Sequence, residues 1–94
     1  MAAILVAMRF QFARSARRHK IGRAHAEAAL HNAQVPVSVW QAIRDGVEHT
    51  YMEWTGPDDR GIELEITGRL ATEDPDLTII LHVMPVTFRT KEEQ

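Results

Sequence analysis

The chain has 94 residues, no cysteine and a formal charge of −2, with 45% hydrophobic and 26% charged residues. This composition predicts one small globular domain and excludes an intrinsically disordered chain. The absence of cysteine excludes disulfides, thiolate metal sites and thiol catalysis, and it fits a reducing cytoplasm.

The apolar run at the N-terminus is too short to cross a membrane. Ala2–Met8 covers about a third of a membrane span. Basic residues follow this run rather than precede it, which is the reverse of a signal peptide. We therefore interpret residues 1–7 as an upstream extension, with Met1 and Met8 as alternative starts, and expect a cytoplasmic protein.

The next segments predict a strand followed by a short helix. Phenylalanines alternate with other residues over 9–13, which is the pattern of a half-buried strand. Ser15 is a candidate N-cap for a short helix over 16–20, because its hydroxyl can accept a hydrogen bond from an early amide. Gly22 is expected to end that helix.

A second helix is predicted over 23–33, where alanine is abundant and the helix must pack closely. Two interpretations remain open for 38–44. Ser38 and Gln41 form a capping box that favours a short helix. The alternative is an extended segment, because valines alternate before and within it at Val35, Val37 and Val39.

The second half of the chain predicts antiparallel strands. Alternating segments 49–55 and 62–67 flank the turn-rich stretch 56–61 and predict a hairpin. The apolar run 77–86 predicts a central strand covered on both faces, and residues 90–94 are expected to form a tail. The element order predicts an α+β domain: a strand, two helices, then three or more antiparallel strands. The helices should cover one face of the sheet and leave the other for function.

Positive charge is concentrated in the first half of the chain. Residues 1–44 carry seven Lys or Arg and one Glu, whereas residues 45–94 carry four Lys or Arg and twelve acidic residues. Segment 14–20 is the densest part, and Arg23 begins the second predicted helix, where backbone amides favour an anion. This predicts a phosphate-binding surface made by Arg14, Arg17, Arg18, Lys20 and Arg23. The alternatives are a solvated basic face and pairing with the acidic half.

His82, within the predicted central strand, is the main catalytic candidate. An imidazole suits proton transfer near neutral pH. Glu65 on another strand could orient it or act as the base, and Arg89 could stabilise charge developing on a phosphate. The alternative for His82 is a hydrogen-bonded core histidine, and for Glu65 it is the solvated face of an amphipathic strand.

No metal site or other cofactor is predicted. His19, His25 and His31 are spaced by six residues, so one helical face does not gather them. The chain also lacks a phosphate-binding glycine loop and a G-x-S-x-G motif.

Three blocks of sequence together resemble a known family. Segments 12–22, 54–66 and 79–85 are similar, in the same order, to small actinobacterial proteins akin to BrnT toxins, which belong to the RelE/ParE-like toxin group. The resemblance implies a compact βααβββ-type fold, a metal-independent ribonuclease and a tight complex with an antitoxin protein. It marks as functional residues Arg17, Arg18, His19, Lys20, Glu65 and His82.

The leading hypothesis is therefore the toxin of a type II toxin–antitoxin system, which cleaves RNA, free or on the ribosome. The ribose 2′-hydroxyl would attack the adjacent phosphate, with Glu65 or His82 moving the proton. The phosphate would be held by Arg17, Arg18, Lys20 or Arg89. Two alternatives are a non-catalytic binding module that uses segment 14–23, and a homodimer in which the basic half of one copy meets the acidic half of another.

Overall fold

The computed structural model describes residues 9–87, and their fold contains five strands, one α-helix and one 3₁₀ helix. The predicted extension at 1–7, the tail at 90–94 and Arg89 lie outside the described residues. Within 9–87, no helix is long and apolar enough to span a membrane. In chain order the elements are β1 (Arg9–Phe12), the 3₁₀ helix (Arg14–Arg17), α1 (Arg23–Ala33), β2 (Ser38–Arg44), β3 (Val47–Pro57), β4 (Glu63–Leu70) and β5 (Leu77–Pro85).

The strands form one mixed sheet in the order β1-β5-β4-β3-β2. Strands β2 to β5 pair antiparallel in succession, whereas β1 pairs parallel with β5. The α+β class is therefore confirmed, together with the antiparallel succession that follows the helical part. The expectation of two helices after the first strand is met in part, because the first of them is a 3₁₀ helix. The sheet is mixed, because β1 joins it parallel to β5.

The first predicted helix is a single 3₁₀ turn, and Ser15 does not cap it. Ala13 occupies the N-cap position without a side-chain hydrogen bond. The Ser15 hydroxyl instead donates to the carbonyl oxygen of Leu81 at 2.7 Å, which ties the turn to β5. The turn is followed by Lys20 in the left-handed region at φ 59°. Gly22 is the N-cap of α1 rather than the end of the preceding helix.

Segment 38–44 is a strand, so the extended interpretation is right and the helical one is wrong. Asp45 and Gly46 have φ values of 52° and 78°. Positive φ at both central residues is what a two-residue type I′ hairpin turn requires. The turn brings Arg44 opposite Val47 and fixes the β2–β3 register. Cross-strand pairing along seven residues therefore prevails over the local capping box.

α1 and the 3₁₀ helix pack on one face of the sheet through small residues. A Cβ atom added at Gly56 would lie 3.0 Å from the carbonyl oxygen of Ala29 and from the Cβ of Ala33. The helix therefore approaches β3 as closely as backbone atoms permit, as its alanine content predicts. The buried core between these layers comprises Ala16, Ala26, Ala29, Leu30, Met52, Trp54, Leu64, Ile66, Ile80 and Val83.

The face of the sheet opposite α1 carries the strand residues that alternate with the core residues. The register pairs Glu65 with Met84 and Thr67 with His82. On this face Tyr51, Glu65 and Met84 are all buried, although neither α1 nor the 3₁₀ helix covers them. Met84 is adjacent to the core residue Val83, so β5 is covered on both faces at this end, as predicted. These three side chains, at the centre of the face, are therefore shielded from solvent.

Candidate phosphate-binding and catalytic site

The structure places His19 and His82 in contact. Their ring centroids lie 5.1 Å apart and the rings are nearly perpendicular, at 85°. His19 follows the 3₁₀ helix, whereas His82 lies on β5, and both side chains are half-buried. Two residues from the predicted catalytic set, distant in the sequence, therefore meet in the fold.

A β-bulge in β5 lies directly beside this contact. Thr67 pairs with His82, but the next residue, Gly68, pairs with Ile80. Leu81 is consequently an extra residue in β5, and its carbonyl oxygen accepts the Ser15 hydroxyl. Bulges kink a strand and re-aim its side chains, often beside functional sites. The bulge thus sets both the direction of β5 at His82 and the attachment of the 3₁₀ helix.

Glu65 lies on β4 as a diagonal neighbour of His82. It stands opposite Met84, two residues beyond His82, and therefore shares a face with the histidine. Diagonal neighbours on adjacent antiparallel strands are about 7–8 Å apart at Cα, within reach of a long side chain. Glu65 is 7% exposed, whereas Glu63 is exposed. Because Glu65 is buried, it does not lie on a solvated face of the strand. A carboxylate in this position can orient an imidazole or accept a proton.

Three of the predicted phosphate ligands line one cleft between the 3₁₀ helix and the start of α1. Arg17, Lys20 and Arg23 contribute the charge, and the cleft has a volume of about 410 Å³. Its apolar part includes Phe12 and Ile21. Lys20 has a left-handed backbone here, and residues before and after it line the same cleft.

The N-terminus of α1 adds partial positive charge to this cleft. Gly22 lines the cleft and is the N-cap, and no side chain caps the first turn. The N–H groups of His25 and Ala26 donate to the Gly22 carbonyl oxygen. The N–H groups of Arg23 and Ala24 are therefore the early amides of this eleven-residue helix that can face an anion. Arg23 is held at the rim, with its Cζ 5.2 Å from the Phe12 ring centroid and its Nε 3.3 Å from a Glu27 carboxylate oxygen. This arrangement suits a phosphate group.

Arg14 and Arg18 are exposed and do not line the cleft. Their charges lie outside the cleft. Among residues 9–87, the four ion pairs do not involve Arg14, Arg17, Arg18 or Lys20. Pairing of these four residues with the acidic half of the same chain therefore finds no support in the described residues.

A second polar cluster, which the sequence did not predict, joins α1 to the β3–β4 turn. His25 Nδ1 lies 2.5 Å from Asp59 Oδ1. The neighbouring Asp58 carboxylate accepts hydrogen bonds from the backbone N–H groups of Arg60 and Ile62, at 2.8 and 3.0 Å, and from the Arg60 guanidinium. The residues Asp58–Gly61 predicted a turn. They did not predict its partner on α1, because His25 is 34 residues away from Asp59.

The pKa values of both aspartates are lowered in this cluster. Burial raises the pKa of Asp58, but the hydrogen bonds from Arg60 and Ile62 outweigh it and hold the pKa below its ordinary value. The hydrogen bond from His25 lowers the pKa of Asp59, against an opposing effect of burial. Both carboxylates are thus stabilised in the charged form.

The cluster has ligand types that a cation could use, since single atoms of His25, Asp58 and Asp59 lie within 4.8 Å of one another. Both oxygens of Asp58, however, already accept two hydrogen bonds each from Arg60 and Ile62. A cation would have to displace a guanidinium from a side chain with no exposed area. The arrangement instead suits a structural role, in which it fixes the turn against α1.

Comparison of the chain with protein-family models, curated proteins and solved structures finds no match.

Proposed function

We propose that this chain is the RNA-cleaving toxin of a type II toxin–antitoxin pair. The observation that carries the proposal is the contact between His19 and His82, because His19 belongs to the same chain segment as Arg17 and Lys20 of the cationic cleft. The contact joins the chain segment that carries the cleft residues to a histidine on the face of the sheet opposite α1. The resemblance of three sequence blocks to BrnT-like toxins points to the same activity.

In the proposed reaction, the ribose 2′-hydroxyl attacks the adjacent phosphorus and transfers its proton to Glu65 or His82. The bond from phosphorus to the 5′-oxygen breaks, and that oxygen takes the proton that the base received, directly or through water. The products are a 2′,3′-cyclic phosphate and a 5′-hydroxyl. Arg17, Lys20 and Arg23 offset the charge that develops on the phosphate oxygens.

His19 has a positioning role in this scheme. The two imidazole rings touch edge to face, so a phosphate does not fit between them. In this proposal His19 holds the ring of His82 in one orientation. Such positioning of a reactive group accounts for a large part of the acceleration in enzymes that bring reactants together.

The test is cleavage of RNA by the purified protein in the presence of a chelator. We expect wild-type protein and the His31→Ala control, an exposed histidine on α1, to cleave, and His82→Ala to lose at least about 100-fold, the usual contribution of an acid–base group. The Arg17→Ala/Arg18→Ala double variant should also lose activity, through weaker RNA binding. Unchanged activity in both variants would remove the site assignment.

A non-catalytic binding module is the second candidate, and the exposed Arg14 and Arg18 favour it. Their charges lie outside the cleft and suit docking of an acidic protein such as an antitoxin, or of a nucleic acid, without cleavage. Expression in bacteria discriminates the two candidates. A ribonuclease toxin should arrest growth, with rescue by the product of the neighbouring gene, whereas a binding module should cause no arrest that depends on His82.

A further inference from the structure

The outer edge of β2 is an exposed strand edge with apolar side chains. Among residues 9–87, β2 pairs with β3 on one side and with no strand on the other. Val39 is 54% exposed and Ile43 is 71% exposed. Trp40, 39% exposed, stacks on Tyr51 with a centroid separation of 5.8 Å. This edge is a ready template for another strand.

Among the described residues, the opposite edge of the sheet carries a paired charge, which makes the state of β2 informative. Arg9 on β1 forms an ion pair with Asp74. Charged side chains are a common means of preventing edge-to-edge association. β2 has seven residues, no proline, and a single charge at its last position, Arg44. A long apolar edge without these protections is suited to pairing with another strand.

We propose that β2 pairs antiparallel with β2 of a second copy of this chain, about a two-fold axis at Gln41, to form a continuous ten-stranded sheet. This proposal is independent of the ribonuclease activity and stands or falls separately from it. It also differs from a dimer held by the basic and acidic halves, because its contacts are backbone hydrogen bonds and apolar side chains.

The backbone at β2 has the right groups for this pairing. Arg44 and Val47 flank the two-residue turn and close the hairpin. Because hydrogen-bonded positions alternate along an antiparallel strand, the N–H and C=O groups of Val39, Gln41 and Ile43 then point away from β3. A two-fold axis at Gln41 brings Gln41 opposite its own copy, and Val39 opposite Ile43 of the second copy. All three outward-pointing residues are paired.

The side chains match in the same register. Val39 meets Ile43 of the second copy on the α1 face of the sheet, so two exposed apolar residues cover each other. On the other face Trp40 meets Ala42, which places the largest side chain of the strand against the smallest. Arg44 meets the small, neutral Ser38, beyond which Glu53 is the next residue across the sheet. No like charges are opposed.

Registers with the two-fold axis at another residue of β2 do not give these side-chain pairs. Moving the axis by one residue to Trp40 places the two tryptophans opposite each other and Val39 opposite Gln41. Moving it to Ala42 places Trp40 opposite Arg44 and Ile43 opposite Gln41. Only the axis at Gln41 pairs all seven residues of β2. The agreement of length, size and charge in one register favours a second copy over an unrelated strand.

A cysteine cross-link tests the register directly, because the chain contains no cysteine. Opposed residues in a hydrogen-bonded antiparallel pair have Cα atoms about 5.5 Å apart, within the range of a disulfide. Gln41→Cys should therefore form a covalent dimer under mild oxidation. Ile43→Cys is the matched control, because the two copies of residue 43 would lie about 14 Å apart along the strands and should remain largely uncross-linked. Equal cross-linking of the two variants would contradict the register.

Sedimentation of the intact chain over a range of concentrations tests the dimer itself. We expect wild-type protein to dimerise, Val39→Lys to be monomeric, and Ile62→Lys, an equally apolar-to-charged change in the remote β3–β4 turn, to dimerise as wild type. Adding Ile43→Glu to Val39→Lys should restore the dimer, because lysine and glutamate would then face each other in two cross-strand pairs.

Three results would overturn the proposal. The first is a wild-type monomer at every concentration, including one that binds a foreign strand at this edge. The second is a dimer that Val39→Lys leaves intact. The third is a dimer that dissociates in high salt, since charge pairing between the halves would then be the cause.

Discussion

Ser15 donates a 2.7 Å hydrogen bond from its Oγ to the carbonyl oxygen of Leu81. Leu81 is the bulged residue immediately before His82, and Ser15 is followed four residues later by His19. The bond therefore joins the two segments whose histidines are in contact. Its location makes the 3₁₀ helix a part of the candidate site rather than a connection between β1 and α1.

Ser15→Ala should consequently reduce RNA cleavage more than it reduces stability. Loss of one exposed hydrogen bond costs about 0.5–1.5 kcal/mol of unfolding free energy, and the protein should remain folded. Cleavage should fall because His19 no longer holds His82 in place. The measurements are denaturant unfolding and turnover, with Ser38→Ala, an exposed serine at the start of β2, as the control. Equal activity of the two variants would argue against a positioning role for the 3₁₀ helix.

Arg17→Ala should weaken RNA binding and reduce its dependence on salt. Each phosphate contact with a single strand contributes about −0.7 to the slope of log K against log salt concentration. Removal of Arg17 from the cleft should make the slope shallower by about that amount. The control is Arg44→Ala, which removes the same charge at the far edge of the sheet. A slope that both variants change equally would indicate binding through net charge instead of through the cleft.

Gly56→Ala should destabilise the fold. The added Cβ would lie 3.0 Å from both the Ala29 carbonyl oxygen and Ala33 Cβ, and helix backbone moves only together with the whole helix. Overpacking of this kind costs about 1–3 kcal/mol. Thr55→Val, at the adjacent position on the opposite face of β3, should change the unfolding free energy much less. A stable Gly56→Ala variant would show that α1 packs less tightly on β3 than the structure indicates.

Asp58 should make the free energy of unfolding depend on pH in the acid range. Its pKa is lower in the folded chain than in the unfolded chain, where it is about 3.9. Its contribution is therefore present above pH 4 and is lost as the pH falls through the folded pKa. Asp58→Asn should have a lower melting temperature than wild type at pH 7, and the difference should shrink in acid. Asp76→Asn, on the exposed β4–β5 turn, serves as control, and a difference that does not change with pH would contradict this assignment.

The parts of the fold that could be predicted are those set by local pattern. The local patterns of the alanine-rich segment 23–33 and of the apolar run at 77–86 are strong enough to predict a helix and a strand there. Segment 38–44 carried helix and strand signals together, and pairing with β3 decided between them. The parallel pairing of β1 with β5 depends on contacts between opposite ends of the chain, which no local pattern specifies.

The candidate site shows the same division. The residue types of segment 14–23 predicted phosphate binding, and the structure gathers Arg17, Lys20 and Arg23 around one cleft while leaving Arg14 and Arg18 outside it. The contact of His19 with His82 depends on a bulge that sequence alternation does not reveal. The prediction that Ser15 caps the first helix was wrong for the same reason. Its hydroxyl donates to the carbonyl oxygen of Leu81 on β5 instead of serving as a local cap.

Cleavage of an RNA with a single 2′-deoxy substitution at the scissile nucleotide tests the central claim most directly. The substituted strand retains its phosphates and should bind as the unmodified strand does. If the adjacent 2′-hydroxyl is the nucleophile, the wild-type protein cleaves only the unmodified RNA and leaves a 2′,3′-cyclic phosphate. Cleavage of the 2′-deoxy substrate, or binding without cleavage of either strand, would contradict the proposed ribonuclease mechanism.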